Sequence, residues 1–564
     1  MTTLPPTTLP PAAVPTRRGL SLSTAATYVA FGTGVSRLTG VLRIVALAWA
    51  LGQSHLADSF NLANTTPNIL YDIVLGGVLS ATFIPVFVAQ LANRTRDEAF
   101  RSISAILTVS MIVLVVTTVA ALVLAPAFIT ALTALDTSSH SHILHTIVAE
   151  RAVATTLLRW FVIQIAAYGI FALATALLNT QRRFVAVAWA PIVNNLVCIG
   201  VLIWFGVLVG RGASLASVES NHSAIVLLGL GTSLGVVLQC VALVPSLLGA
   251  SLGRIRWHWD LHDAALHTVI RLSGWTFGFV LANQVTLFVV ILLAGTANGS
   301  DPVSSYTYAY AFFQMPYGIV AVTIMSVVAP DLAERWSTGQ RAAFLARLSG
   351  GLRAMLALII PAALGLLLLA KPAVALLLGH GASTPEETAT TGSALAMFAL
   401  GLPGFCTYLY VIRVLQSMQR TRVAFNLYLI ENGINVVLAV VLVHPLGVRG
   451  LALSLSVAYT VGAIIGVTLL RRWFGRLGTP ETWDPLRRVA VASLAMGVTV
   501  LVVSNLSGSM QGLFLFARVV GAIIAGVVVY AGVAILLGRR YEARAREARR
   551  HETRRLVARQ RSSS

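Results

Sequence analysis

The feature that most constrains this chain is the recurrence of apolar runs of 18 or more residues from one end to the other. Each run is long enough to cross a hydrocarbon layer roughly 30 Å thick as a helix. Composition supports the same reading. Hydrophobic residues make up 57% of the 564 residues and charged residues only 11%, whereas a soluble domain carries about 25% charged residues. No large soluble domain is expected. The formal net charge of +20 raises the question of nucleic acid, but its distribution argues against that partner. The arginines sit in short connections and in the tail, where positive-inside bias accounts for them.

Fourteen spans are expected, at 23–51, 60–92, 103–134, 152–178, 185–209, 224–250, 267–295, 305–331, 350–378, 392–417, 422–444, 447–471, 487–506 and 512–538. The connections alternate in charge. One set carries Arg94, Arg96 and Arg101; Arg182 and Arg183; Arg254 and Arg256; Arg335, Arg341 and Arg347; Arg420 and Arg422; and Arg471, Arg472 and Arg476. The other carries isolated cations such as Arg151, Arg211 and Arg449. The alternation puts the first set and both termini in the cytoplasm. Residues 1–22 are expected to be a disordered cytoplasmic N-terminus, Thr/Pro-rich over 1–16. Thr16-Arg17-Arg18-Gly19-Leu20 superficially resembles a twin-arginine export signal. The apolar segment after it runs on to Leu51, carries two more arginines and shows no convincing cleavage site. It therefore reads as a retained first span. Residues 539–564 form a basic cytoplasmic tail, suited to anionic lipid.

A repeat of roughly 235–250 residues is visible. Arg37-Leu-Thr-Gly echoes Arg271-Leu-Ser-Gly, and Pro67 and Pro85 echo Pro316 and Pro330. Gln181-Arg182 followed by Asn194 echoes Gln419-Arg420 followed by Asn432. Six helices per repeat is an even number, so both repeats enter the membrane in the same sense. The expected architecture is all-α: an N-lobe over 23–250, a C-lobe over 251–472, and a site between them. A pseudo-two-fold along the membrane normal relates the lobes, and spans 13 and 14, in 473–538, stand outside the repeat.

Polar residues inside spans are the candidate site. Arg37 and Arg43 lie deep in span 1. An arginine at mid-membrane costs roughly 2.5–3.5 kcal/mol or more, so it must meet a partner or a wet cavity. The two are about 9 Å apart along a helix and roughly 120° apart around it. Guanidinium suits an extended anion because its planar fork meets phosphate oxygens in pairs. The plainer alternative is an ion pair with Asp58 or Asp72. Asp58 is equally readable as a helix N-terminal cap. Pro67, beside Asn68, and Pro316, near Gln314, free backbone carbonyls and kink their spans, so both are hinge candidates. Asn194, Asn195, Glu431, Asn432 and Asn435 read as interhelical hydrogen-bond glue. Arg159, Arg413 and Arg518 snorkel or pair, and Lys371 is interfacial. Cys198, Cys240 and Cys406 read as small apolar residues, and His140, His142 and His145 as an external loop that binds no metal. No nucleotide loop, zinc motif or catalytic triad is present, so neither enzyme chemistry nor a cofactor is expected.

The stretch from Ser36 to Pro85 carries Ser36-Arg37-Leu38, Gly40, Arg43, Gly52, Asp58-Ser59-Phe60, Ala63, Pro67-Asn68, Gly77 and Phe83-Ile84-Pro85. Gln284, Met315-Pro316-Tyr317-Gly318 through Pro330, and Leu178-Asn179 through Pro191 add to it. In these residues, and over nearly its whole length, the chain resembles the MurJ/MviN family of lipid II flippases in the MOP exporter superfamily. The resemblance implies a cationic cavity between two lobes and a groove for a polyprenyl tail in spans 13 and 14. It implies functional roles for Ser36, Arg37, Arg43 and Asp58, with Asn68, Gln284 and Gln314 as further substrate-contact candidates. Tyr71, Ala311 and Ile44 depart from the family pattern, which places arginines at the first two positions and an acid at the third. The expected cavity is accordingly less cationic, with Arg271 as a candidate replacement charge.

The expected function is a flippase moving undecaprenyl-diphosphate-linked peptidoglycan precursor across the bacterial plasma membrane. The expected partners are lipid II or a related polyprenyl-diphosphate glycolipid, membrane lipids and cell-wall synthesis proteins. The rivals are a flippase for another polyprenyl-linked oligosaccharide, a cation-coupled multidrug antiporter and a non-transporting scaffold for cell-wall enzymes. The loop-charge argument makes one direct prediction. A cysteine placed in the tail after Gly538 stays protected from impermeant thiol reagents in intact cells; labelling from outside would overturn both the orientation and the span count.

Overall fold

A computed structural model describes residues 22–76, 83–135, 141–250, 252–253, 255–297, 302–475, 480–505 and 512–562. The expectations for residues 1–21, His140, Arg254 and Arg476 lie outside the described residues. Helices account for nearly all of the rest. The first half contains α1 (Leu22–Leu51), α2 (His55–Tyr71), α3 (Ile84–Asn93), α4 (Arg96–Leu132), α5 (Ser141–Phe161), α6 (Ile163–Thr180), α7 (Phe184–Leu208), α8 (Leu215–Glu219), α9 (His222–Val241) and α10 (Val244–Leu248). The second contains α11 (Ala264–Gly295), α12 (Pro302–Pro316), α13 (Val322–Ser337), α14 (Arg341–Leu378), α15 (Pro385–Ser417), α16 (Thr421–Leu446) and α17 (Val448–Phe474). The last pair is α18 (Pro480–Ser504) and α19 (Gly512–Ser562). The tail continues α19 as one helix. His142 and His145 fall in the first turns of α5 rather than in a loop.

Among the described residues, thirteen helical stretches are long and apolar enough to cross a membrane. In the stretch expected as a single span at 60–92, the described residues form α2, a π-helical turn over Asp72–Gly76 and the short α3; residues 77–82 lie outside them. Pro67 lies within α2 and is the cause nearest to hand: it removes one N–H and crowds the preceding turn. A π turn, with one extra residue in the ring, takes up such a misregister. The second half repeats the device, because Pro316 ends α12 and a π turn over Tyr317–Ala321 follows.

Packing repeats as well. In the first half α1 lies on α7, α7 on α9, and α2 on α5. In the second, α11 lies on α16, α16 on α17, and α12 on α15. The tight turns before α7 and α16 match too, with left-handed backbone at Arg182 (φ 56°) and Gln419 (φ 59°). This geometry corrects the sequence register by one residue. Arg182 pairs with Gln419, and Asn194 and Asn195 pair with Glu431 and Asn432. α18 and α19 pack on each other and on α14.

Arginines tie down the rim on which they cluster. Asp331 receives Arg335 and Arg347, both at 2.6 Å. Arg183 donates to the carbonyls of Ser246 (2.9 Å) and Gly249. The linker between the halves lies along α4, where Arg256 N–H donates to Ser104 Oγ (3.2 Å) and His258 N–H to Thr108 Oγ1 (3.1 Å).

Close helix approach in lipid relies on small residues, since lipid itself is apolar and supplies no hydrophobic drive between helices. The α15–α17 pair shows this. A Cβ added to Gly401 would sit 2.4 Å from the Cα of Ser456, and one on Gly404 2.4 Å from Thr460 Oγ1. The first clash is with backbone and cannot be relieved by a rotamer. Gly401→Ala is therefore expected to destabilise the protein by about 1–3 kcal/mol. Gly521→Ala, with nothing within 4 Å of its added Cβ, serves as the control. Equal thermal midpoints of the two variants in detergent would show that the α15–α17 seam is not close-packed.

Candidate functional site

The two halves are latched to each other at the arginine-poor rim. α1 ends in Gly52, whose φ of 73° favours glycine and whose added Cβ would lie 2.9 Å from Ala382 O. Ala382 N–H donates to Trp49 O (3.2 Å), and Ser383 Oγ to Ala48 O (3.3 Å). Gln53 is fully buried. Its N–H donates to Glu387 (3.3 Å), and its amide oxygen accepts from Ser305 Oγ (3.0 Å) and Thr391 Oγ1. Asp58 accepts from the N–H of Ser304 at 2.8 Å, and Asn61 donates to Ser304 Oγ at 3.0 Å. Asp58 is thus a helix cap, but for α12 across the interface. Its own helix is capped by Ser54.

Deeper in, the span 1 arginines separate. Arg37 crosses to the second half. Its guanidinium lies against Gly318 in the second π turn, where an added Cβ would sit 3.1 Å from Cζ. Tyr317, beside it, is within electrostatic reach of both Arg37 and Arg413. Arg43 stays within the first half. It lies near Tyr168 and Cys198, and Cys198 Sγ donates to Asn194 Oδ1 (3.3 Å). Tyr168 and Tyr71 have ring centroids 5.6 Å apart. The two arginines therefore address different surroundings.

Other candidates take defined places. Gln284 is buried and donates to Asp72 in the first π turn at 2.8 Å. Each π turn thus meets a side chain from the opposite half. The carbonyl of Ser36 accepts from Asn195 Nδ2 (3.1 Å), which also reaches Thr39 Oγ1 (3.0 Å), so this pair pins α1 to α7. Asn68 donates to Asn64 O within its own helix (2.8 Å), and Gln314 lies near Tyr310. Asn432 donates to Glu431 (3.0 Å), and Ser454 Oγ to Asn435 (2.9 Å), an interhelical role for Asn435. Among the described residues no three His, Cys, Asp or Glu side chains converge. Sequence reasoning missed Gln53, Thr391, Ser304 and Ser305, whose partners lie hundreds of residues away, and Glu387, whose capping box with Thr384 is a local signal but whose bond to Gln53 is not.

A family model described as lipid II flippase MurJ matches residues 47–521, a range that opens after Arg37 and Arg43. A probable lipid II flippase MurJ of Rhizobium tropici is 28% identical, with 89% of this chain and 92% of that one covered. The corresponding protein of Vibrio cholerae is 26% identical, over 90% of this chain and 94% of its own. A solved lipid II flippase MurJ in an inward closed conformation superposes with a TM-score of 0.71 at 21% identity, covering 91% of this chain and 99% of that one. An inward-facing MATE transporter of the MOP superfamily superposes at 0.56 with 16% identity, covering 82% and 96%. The family match spans most of the chain and agrees with the all-helical fold, and the chain belongs to the MurJ family of lipid II flippases.

Proposed function

We propose that this protein carries lipid II, an undecaprenyl-diphosphate-linked peptidoglycan precursor, from the cytoplasmic to the outer leaflet of the bacterial plasma membrane. Family membership supports this reading, and the observation that carries it for this chain is Arg37. It is a charged side chain well inside a span, exposed toward the second half and seated on its π turn. An intramembrane guanidinium in a cleft is a standing invitation to an anion. It disfavours the cationic cargo of a drug antiporter, although the MATE transporters share the fold. Transport breaks no covalent bond. The cleft holds the diphosphate while the prenyl chain stays in apolar surroundings, and the exposed apolar faces of α18 and α19, including Leu494, Val498, Phe514 and Val527, suit such a chain.

In this reading the arginine-rich rim and both termini are cytoplasmic, and the repeats are two lobes, related by a pseudo-two-fold along the membrane normal, that rock against each other. The latch around Gln53 then closes the outer side, and the cleft receives substrate from within. Reversal requires the latch to open. Its members are mostly neutral hydrogen bonds, each worth about 0.5–1.5 kcal/mol net, so opening lies within reach of a binding event. A flippase for another polyprenyl-diphosphate glycan shares this chemistry. Restoration of growth and of outward-exposed lipid II in cells depleted of their own flippase tells the two apart. Normal membrane abundance without rescue would end the lipid II reading.

Two substitutions test the mechanism. Arg37→Gln is expected to reduce flipping by about tenfold or more at normal abundance, with Arg37→Lys intermediate, since the fork is lost but the charge kept. Full activity of Arg37→Gln would remove the cationic site. Gln53→Ala is expected to loosen the outer latch and raise labelling of a Ser304→Cys reporter by impermeant reagents. Unchanged labelling would mean that Gln53 does not hold the rim shut.

A further inference from the structure

We propose that the linker between the halves is a membrane-interface anchor. Ile255, Trp257, Trp259 and Leu261 seat in the headgroup region of the bilayer at the arginine-rich rim, and they hold the junction of α4 with α11 at that depth. The partner is the lipid surface itself, whatever the cargo.

The linker follows α4 inward and then comes back. Gly253 lies on Phe100, where an added Cβ would sit 2.5 Å from Cδ2. The N–H groups of Arg256 and His258 donate to Ser104 Oγ (3.2 Å) and Thr108 Oγ1 (3.1 Å). Those acceptors are four residues apart, about 6 Å along a helix, and the donors are two residues apart, about 6.6 Å in extended chain. The match means that the linker runs extended alongside the axis of α4. Asp260 ends the run. Its carboxylate accepts the N–H of His262 (2.9 Å), a turn that short acidic side chains favour. The chain then returns to the level of Ser102, which donates to Asp263 (2.8 Å) and accepts from Arg94 (2.8 Å). Asp263 also caps α11 through the N–H of Ala265 (2.7 Å), so the return ties the first half to the start of the second.

Alternation decides what this run presents. Successive side chains of an extended chain point to opposite faces, so residues 255, 257, 259 and 261 share one face. All four are exposed, Trp257 by 71% and Trp259 by 55%, whereas His258 and Asp260 between them are half-buried. Level along α4 identifies what covers that face. On one side lies the exposed Arg101. On the other, the exposed large apolar side chains of α4 begin at Val113 and continue through Val116 to Val123, as a lipid-facing stretch does. The tryptophans occupy the levels of Ser104 to Thr108, between the charged turn and the apolar belt. Thr108 precedes Val113 by about 7.5 Å along the helix, and the headgroup layer is about 5–7 Å deep on each side of the hydrocarbon. An indole at that depth buries its ring and keeps its N–H among polar headgroups. Charge fits as well. The carboxylate of Asp260 is engaged by His262, and the exposed Arg256 suits lipid phosphate.

The test uses the full chain in vesicles of phosphatidylcholine and phosphatidylglycerol. Fluorescence of the wild type is compared with that of a Trp257→Phe, Trp259→Phe double variant, which keeps the apolar bulk, and the difference isolates the two indoles. Vesicles with acyl chains brominated close to the headgroup are expected to quench most of that difference emission. Chains brominated near the bilayer centre are expected to quench it less, and aqueous iodide to leave most of it. Quenching by iodide and not by brominated lipid overturns the proposal, since the face would then be turned to water and open to a soluble partner. Quenching by neither also overturns it, because protein would then cover the face. Stronger quenching from the bilayer centre than from the headgroup end overturns the assigned depth. Should the double variant not accumulate as folded protein, an environment-sensitive fluorophore on Leu261→Cys reads the same face with the same three quenchers, and the same outcomes decide.

Discussion

A peptide group inside hydrocarbon has no water to turn to, and its hydrogen bonds must be found within the protein. That constraint makes nearly every described crossing a helix. It also governs where the chain departs from regular helix. The two π turns, at Asp72–Gly76 and Tyr317–Ala321, do not face lipid unaided. The first meets Gln284 of α11, and the second meets Arg37 of α1. Irregular backbone is tolerated at this depth because the opposite half covers it. The same irregularity shapes the surface on which the halves meet.

The polar contacts between the halves fall into two kinds. At the arginine-poor rim they are mainly neutral: Gln53 with Ser305 and Thr391, and Asn61 with Ser304. Asp58 and Glu387 spend their charge on backbone N–H groups. Breaking a buried ion pair by removing one partner costs about 3–5 kcal/mol, while neutral bonds can be exchanged more cheaply. A rim of this kind is tight yet reversible. Deeper between the halves, the guanidinium of Arg37 lies against Gly318 of the second π turn, and Gln284 donates to Asp72 of the first.

The candidate site was partly legible in the sequence. Arg37 stood out because a charged residue amid apolar neighbours is costly anywhere in lipid. Pro67 and Pro316 stood out because proline cannot complete a helical ladder, and both lie at or near a π turn. Gln284 entered through family resemblance, and the structure gives it a partner in Asp72. The division of labour between Arg37 and Arg43 was not legible. Their angular separation was readable from helix geometry, but which neighbour each meets depends on how α1 lies against α7 and on the second π turn.

The sequence by itself determined the membrane class, nearly all of the helical crossings, the internal repeat and the chemistry of an arginine in the first span. These follow from local properties: run length, apolarity, charge in the connections, and the identity of single residues. Tertiary structure decided the rest. It set the repeat register through the turns at Arg182 and Gln419, and it turned Asp58 from a local cap into a cap for α12. It assembled the latch around Gln53 from residues some 250 to 340 positions apart. The physical reason is that a hydrogen bond or ion contact requires two groups within about 3 Å. A sequence shows each group, and only the packed helices bring the pair together.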